Sequence, residues 1–370
     1  MRSTLRRAGV ASAKAWIPRD GTGAAGQSTK DAADAPGSLF TLLSMNVAGL
    51  RAVLRSPEKA AALRAAVADV RPHVLCLQEH KLQDMHVEDA SASLKEVIGS
   101  DLGFSGADTP ALFACSGPPA KKGYSGTACL VSDTSPMQLL DSWTGFPASL
   151  VDSSDHNNAH AEGRLVTLEF RNLVVVNVYT PNSGSKLARL PFRVEHWDTT
   201  MVAYLEWIER DLGKPVCLMG DLNVAHTVQD IHNFYSRPGF PDQLPNVDSK
   251  DHFKGLTALK KQAGCTAEER LSFSSLLASG SGYVDSFRFY HPGAKGRFSY
   301  WSQRAGNRRW NRGLRIDYCV VSSSLTKNAG EISLHESFIC DDETAYPPFS
   351  DHAPVGASFV IRNPRSGIQN

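Results

Sequence analysis

Several features are scarce in this chain, and each shortage removes a class of protein. No apolar run approaches the ~18–20 residues that a membrane span needs, so no membrane partner is expected. The seven cysteines (76, 115, 129, 217, 265, 319 and 340) are odd in number, scattered, and form no C-x-x-C pair. A disulfide framework and a thiolate metal site therefore lack their usual signature. Cys76 in Val-Leu-Cys-Leu and Cys217 in Pro-Val-Cys-Leu instead read as buried free thiols of a reducing compartment. Excess charge is missing too: Lys+Arg of 39 against Asp+Glu of 38 leaves a net +1. That excludes a histone-like polycation and an acidic disordered chain, and any nucleic-acid signal must be local. No internal repeat is present. What remains is 370 residues with 42% apolar content, enough to bury a core in one α/β domain with tails or in two domains.

Residues 1–38 differ from the rest. Arg2, Arg6, Arg7, Lys14 and Arg19 precede the first acid, Asp20, in Ala- and Ser-rich text. Two readings stand: a disordered tail, or a targeting segment of the Arg- and Ser-rich transit type. Nucleus and mitochondrion are both open as destinations. Gly21-Thr-Gly23-Ala-Ala-Gly26 matches a dinucleotide-binding pattern by letter. That motif needs a strand before it and a helix after it, and here both are absent.

From residue 39 the text alternates between strand and helix. Strands are expected at 39–46, 73–78, 164–170, 173–179 and 215–219, and near 284–290, 297–302, 315–321 and 354–361. The second pair of the first group reads as a hairpin around Arg171-Asn172. Pro57 opens an Ala-rich helix to about Val70, as proline tolerates the first helical position. Residues 190–210 carry Phe192, Trp197, Met201, Tyr204, Leu205 and Ile208 at helical spacing, which predicts core positions. The Pro-, Asp- and Lys-rich stretch at 232–261 reads as a surface loop or insertion.

The informative pattern lies where the apolar runs stop. They stop at Asn46, Gln78-Glu79, Tyr179-Thr-Pro-Asn182, Gly220-Asp221-Leu-Asn223, Arg315-Ile-Asp317 and Ser350-Asp351-His352. Strands that share one end would gather these groups into one polar cluster on a rigid rim. Glu79 and Asp351 offer hard oxygen ligands and Asn46 a neutral one, which favours Mg²⁺ or Mn²⁺ over zinc. Asp317 with His352 makes a carboxylate-oriented imidazole, and Asp221 can orient or deprotonate a water. Tyr179, Asn182 and Asn223 suit phosphate oxygens. Together the set describes phosphodiester hydrolysis by in-line attack.

Those motifs, in that order and spacing, resemble the exonuclease III-type apurinic/apyrimidinic (AP) endonucleases of the endonuclease/exonuclease/phosphatase superfamily. Lys81 after Glu79, Gly123-Tyr124-Ser-Gly126, Glu162-Gly-Arg164, Phe298-Ser-Tyr300-Trp301 and Asn311-x-Gly-x-Arg315-Ile-Asp317 carry the resemblance toward the DNA-repair branch. It implies an α/β fold over residues 39–365, a four-layered sandwich of two mainly antiparallel sheets between helices. It implies cleavage 5′ to an abasic site leaving a 3′-hydroxyl, with 3′-end trimming as a companion activity. Catalytic roles then fall to Asp221, His352, Asp317, Tyr179, Asn223 and Asn46, and Mg²⁺ (or Mn²⁺) binding to Glu79, Asp351 and Asn46. Phosphate and DNA contacts fall to Asn182, Tyr124, Arg164, Lys81, Arg189, Arg193, Arg304 and Asn311. Tyr300, Trp301 and Leu314 would form the pocket for the baseless sugar.

The implied partner is double-stranded DNA with abasic sites or blocked 3′ ends, bound by a monomer. Independent of the resemblance, Lys295, Arg297, Arg304, Arg308, Arg309, Arg312 and Arg315 form an acid-free run interleaved with Phe298, Tyr300, Trp301 and Trp310. Basic groups serve phosphates and aromatic faces serve bases or sugars. Lys121, Lys122 and Lys186 extend that footprint. Two positions depart from the family pattern: Ala48, where an Asp or Asn is usual, and Leu314, where relatives often carry Trp. Ala48 removes an oxygen near the metal, and Leu314 gives the sugar pocket a smaller wall. The rival readings are a sister hydrolase acting on lipid or inositol phosphates and a catalytically weakened DNA-binding protein.

Overall fold

In the computed structural model the apolar runs pair into two six-stranded sheets. The described residues are 37–104, 109–151, 159–232 and 261–362, so nearly all of the N-terminal extension and of the 232–261 stretch lies outside them. One sheet has the order β11 (Ile332–Ile339), β12 (Val355–Ile361), β1 (Ser38–Asn46), β2 (Val74–Gln78), β4 (Thr127–Val131) and β3 (Ala111–Ala114). The other runs β5 (Leu139–Thr144), β6 (Leu165–Phe170), β7 (Val174–Tyr179), β8 (Val216–Asp221), β10 (Asp317–Ser322) and β9 (Tyr283–Asp285). Each is antiparallel apart from one parallel pair, β1 with β2 and β7 with β8. The β6–β7 pair is the expected hairpin.

Phe40, Leu42, Val74, Cys76, Val175, Cys217, Met219, Val321 and Phe359 fill the space between the sheets. The outer face of the first sheet packs Leu43, Met45, Leu75 and Leu77 against α1 (Leu50–Arg55), α2 (Pro57–Val70) and α3 (Val87–Ile98). The outer face of the second packs Val174, Val176 and Leu218 against α4 (Asp198–Trp207) and α5 (Ala267–Ala278). Helix, sheet, sheet, helix is the four-layered α/β sandwich. Because both faces of these strands are covered, they read as continuous apolar runs. No helix among the described residues is long and apolar enough to cross a membrane.

Pro57 stands at the first turn of α2, and Arg71 ends that helix in a left-handed conformation (φ 47°). Phe192, Trp197, Met201, Tyr204, Leu205 and Ile208 are all buried, although wider π-helical turns (Phe192–Trp197 and Ile208–Leu212) flank α4. Two expected strands differ. The 284–290 run is cut short because the Asp285 side chain accepts the Arg288 amide and caps a short helix, α6 (Ser286–Tyr290). The 297–302 run pairs only through isolated bridges from Tyr300 to Leu314 and His352, so Phe298 and Trp301 are buried in a loop. All seven cysteines are free, and the Cys76 and Cys129 sulfurs lie 3.6 Å apart in the core, at hydrogen-bond distance with no disulfide between them.

Candidate active site

Successive strand residues point to opposite faces, so alternate positions share one direction. The inter-sheet row of β1 is Phe40, Leu42, Ser44, Asn46, and that of β2 is Val74, Cys76, Gln78. On β8 it is Cys217, Met219, Asp221, and on β10 it is Asp317, Cys319, Val321. Each row is apolar through the core and polar at the same end of the sandwich. Register completes the gathering: Asp221 lies beside Tyr179 on one side and opposite Asp317 on the other. Asp317 begins β10, and Asp351-His352 precede β12; these chain segments supply strand starts where β1, β2, β7 and β8 supply ends. Antiparallel neighbours make starts and ends meet.

The backbone is bent sharply here. Glu79 and Asn223 adopt left-handed conformations (φ 52° and 49°), as does Ala48 (φ 48°). Left-handed non-glycine residues store strain that clusters at functional sites. Gly220 (φ 136°) precedes Asp221, and a Cβ there would collide with the Val178 carbonyl across the parallel pair. Only glycine lets β7 and β8 close this tightly.

Asn46 connects the two sheets. Its Nδ2 donates to Glu79 Oε1 at 3.0 Å and to Asp221 Oδ2 at 3.0 Å. Its Oδ1 accepts the Ala48 amide at 3.0 Å, which leaves the second lone pair of that oxygen available to a cation. Asn46 thus spaces two carboxylates. Glu79 also pairs with Lys81 at 2.9 Å. Burial pushes the Glu79 carboxyl up, but Lys81 and the Asn46 amide outweigh it and leave the group below its usual value. Asp351 lies on the same cleft.

His352 Nδ1 lies 2.8 Å from Asp317 Oδ2, and its Nε2 lies 3.9 Å from Asp221 Oδ2. Burial opposes the imidazolium, yet Asp317, Asp221 and Asp351 raise its pKa to about 10. His352 therefore carries its proton at neutral pH and donates to Asp317. Asp221 is pushed up to about 7 by burial and by the Asp317 and Glu79 carboxylates, against the opposing pull of His352. A base poised there matches the working range of proton transfer. The ligand atoms of Asp221, Asp317 and His352 lie within 4.8 Å of one another, a spacing that can hold a metal ion. The imidazole, however, is committed to Asp317 and protonated. Glu79 and Asp351 are the better oxygen donors for a hard cation.

The cleft is about 650 Å³. Asn182 and Asn223 line it with Tyr179, and the Asn182 Nδ2 donates to Asn223 Oδ1 at 2.8 Å. Burial, then Glu79, pushes the Tyr179 phenol well above its usual value, against the pull of Arg164. Tyr300 and Leu314 form the facing wall with Asn307 and Arg312.

Several expected DNA contacts are turned inward. Arg193 is buried; its Nη1 donates to the Asn223 carbonyl at 2.7 Å and its Nη2 to the Leu222 carbonyl at 2.6 Å. Asp198 and Glu269 balance its charge. It clasps the loop that carries Asn223 and has no face for a phosphate. Arg164 is buried too, with Nε 2.5 Å from Glu162 and Nη1 donating to the Tyr179 carbonyl at 3.0 Å. Its guanidinium lies 4.6 Å from the Tyr179 ring centroid and 5.5 Å from that of Tyr124, so it supports those rings. Trp301 is buried behind the cleft and donates Nε1–H to Asn311 Oδ1 at 3.0 Å. Asn311, its Nδ2 bound to the Gly296 carbonyl at 2.9 Å, is a loop tie.

Within the basic run, Arg315 is fully buried against Asp230 and Asp285, Arg297 pairs with Asp341, and Arg308 pairs with Glu343. Arg304, Arg309 and Arg312 stay exposed, as do Lys121, Lys122 and Lys186, and Tyr124 is partly exposed. Arg189 sits at the rim, 3.2 Å from Glu162.

Sequence reasoning passed over one buried network. Gln78 Nε2 donates to Ser44 Oγ at 2.9 Å and to Asn177 Oδ1 at 2.7 Å. Asn177 Nδ2 in turn reaches the Leu77 and Ala128 carbonyls in the other sheet. The signal was readable, as Ser44, Gln78 and Asn177 are polar letters at inter-sheet positions of apolar strands.

Residues 43–352 match the Endonuclease/Exonuclease/phosphatase family. An exodeoxyribonuclease of Bacillus subtilis is 34% identical over 85% of this chain and 97% of its own length. A DNA-(apurinic or apyrimidinic site) endonuclease of Dictyostelium discoideum is 33% identical over 85% of this chain and 69% of its own. The crystal structure of an AP endonuclease from Leishmania major superposes with a TM-score of 0.63 at 31% identity, covering 88% of each chain.

Proposed function

The chain belongs to the endonuclease/exonuclease/phosphatase family, in its exonuclease III-type branch, and on that premise we propose that it is a DNA-repair nuclease. It hydrolyses the phosphodiester 5′ to an abasic site and leaves a 3′-hydroxyl. The observation that carries the reading is Asp221, a buried carboxylate held between Asn46, Asp317 and His352 at the floor of an open cleft. Near neutral pH it exchanges its proton, so it orients an attacking water and accepts the proton that the water loses. His352, kept protonated by Asp317, faces the same cleft and stabilises charge that develops on phosphate oxygens. Tyr179, Asn182 and Asn223 hold the other oxygens, with Arg193 fixing the Asn223 loop from beneath.

Glu79 and Asp351 would hold Mg²⁺, with Mn²⁺ as a substitute. Their donor set is all oxygen, as a hard cation requires, and Lys81 marks the charge that Glu79 otherwise leaves uncompensated. The ion, when bound, polarises the phosphate as a Lewis acid. The Tyr300–Leu314 wall receives the baseless sugar, and Leu314 in place of a larger ring fits a companion activity on blocked 3′ ends. The relatives named for DNA cleavage disfavour the rival reading on lipid or inositol phosphates.

The test is incision of a duplex with one abasic-site analogue, in Mg²⁺ and in EDTA, by wild type and Asp221→Asn. We expect a Mg²⁺-dependent cut that the variant reduces by about 10²–10⁴-fold. A cut equal in the two proteins, or none in Mg²⁺, overturns the proposal.

A further inference from the structure

Between Tyr300 and Leu314 the chain leaves the core and returns as a loop beside the cleft. Its neck is closed by two backbone hydrogen bonds of 2.9 Å between those residues. Inside the loop, the Asn307 amide donates to the Ser302 carbonyl at 3.2 Å and the Arg312 amide to the Asn307 carbonyl at 3.0 Å. Its base is tied by the Trp301–Asn311 bond. Arg308 adds a second tie, donating to the Ser350 carbonyl at 2.9 Å with its guanidinium 4.4 Å from the Trp301 ring centroid. These fastenings hold the tip in one conformation.

The tip presents Trp310, 61% exposed, while Trp301 and Phe298 of the same segment are buried. The Arg309 guanidinium lies 5.3 Å from the Trp310 ring centroid. Arg304, Arg309 and Arg312 are exposed and have no carboxylate partner among the described residues. Arg312 and Asn307, which flank Trp310 in the loop, also line the cleft of the proposed phosphodiester site.

A lone exposed apolar residue needs no explanation by itself. Here an exposed indole on a tied loop is set among uncompensated guanidinium groups, one of which (Arg312) lines a phosphate-holding cleft. An aromatic face beside cations recognises a nucleobase through stacking and its backbone through charge. Inside a duplex the base faces are already stacked on one another, so an unpaired base offers its face at the least cost. We propose that Trp310, with Arg309 and Arg312, is a stacking site for an unpaired nucleobase, outside the pocket for the baseless sugar. The site rests on the nuclease reading and deepens it: it favours single strands and frayed or extended 3′ ends over closed duplex.

Equilibrium binding in EDTA, followed by fluorescence anisotropy of labelled DNA, separates binding from turnover. Three probes are compared: a single-stranded oligonucleotide, a blunt duplex, and that duplex with one unpaired 3′ nucleotide. Trp310→Ala is expected to weaken the first and third by about 5–150-fold and the blunt duplex by less than about twofold. Trp310→Phe keeps most of the affinity. Equal loss on all three probes, or no loss on any, overturns the stacking site. Wild type that binds the duplex but not the single strand also overturns it and leaves the nuclease reading intact. Wild type that binds none of the three probes overturns the stacking site, whereas the nuclease reading falls only with the absence of Mg²⁺-dependent incision of the abasic duplex.

Discussion

Asp221 and Asp230 are both buried and lie close together in the sequence, yet their surroundings pull them in opposite directions. Asp221 stands among Asp317 and Glu79, and burial together with crowding by like charge pushes its carboxyl up to about 7. Asp230 meets Arg315 at 2.7 Å and Arg288 at 2.5 Å, and its carboxyl, which burial alone would raise, is held far below the usual range. Arg315 also reaches Asp285 at 2.6 Å, so this second cluster balances two acids with two guanidiniums. One cluster is kept out of electrostatic balance, ready to move a proton. The other is balanced and anchors the strand on which Asp317 sits. The same residue type thus serves reaction or structure according to the charges brought around it.

The largest expected effect comes from relieving the crowded cluster. Asp317→Asn removes the main support of the His352 imidazolium, and incision of an abasic duplex should fall on the order of 10²–10⁴-fold with the fold intact by circular dichroism. An unchanged rate would show that the Asp317–His352 pair has no part in the chemistry.

Next comes the balanced cluster. Asp230→Asn leaves two guanidiniums undercompensated inside the protein, and urea unfolding at pH 7 should show a loss of about 3–5 kcal/mol. The pH dependence has a definite sign. A carboxyl held low in the folded state contributes stability above its unfolded pKa of about 4, and that contribution is lost as pH falls below it. The variant should therefore lose less stability than wild type on going from about pH 4 toward pH 2. Parallel acid limbs would contradict the assignment.

The smallest effect sharpens the contrast. Asp221 is raised, so its ionisation opposes folding between about pH 4 and pH 7, and the penalty is complete above that range. Asp221→Asn, expected to be impaired in incision, should be about 1–2 kcal/mol more stable than wild type at pH 8 in EDTA, with the gain gone at pH 4. A destabilised variant at pH 8 would mean that the lost hydrogen bonds from Asn46 and the Asn223 amide outweigh the crowding.

Much of the strand framework was legible because buried strands leave long apolar runs with abrupt polar stops. Asn46, Glu79, Tyr179, Asp221, Asp317 and His352 could be picked out from those stops alone. The arginines could not be sorted in the same way. Arg164, Arg193 and Arg315 look like Arg304 and Arg312 in the sequence, and a basic run invites a reading as DNA footprint. Their partners are Glu162, Asp198, Glu269, Asp230 and Asp285, of which Glu162 and Asp198 are close in sequence to the arginine they bind and the other three are distant. Whether a guanidinium is spent inside or offered outside depends on which distant acid the fold delivers to it. The 284–290 stretch misled for a local reason: Asp285 caps a helix where the apolar letters suggest a strand.

The sequence by itself determined the inventory: two-faced apolar strands, their polar tips, reduced cysteines and a neutral total charge with a basic, aromatic segment. Spacing along the chain specifies which residues can share a face, since side-chain direction repeats with the backbone period. Only the tertiary structure decided the electrostatics. Antiparallel register set Asp317 opposite Asp221, and packing of the sheets brought Asn46 against both Glu79 and Asp221. Coulombic effects depend on distance and burial in space, and contiguity along the chain determines neither.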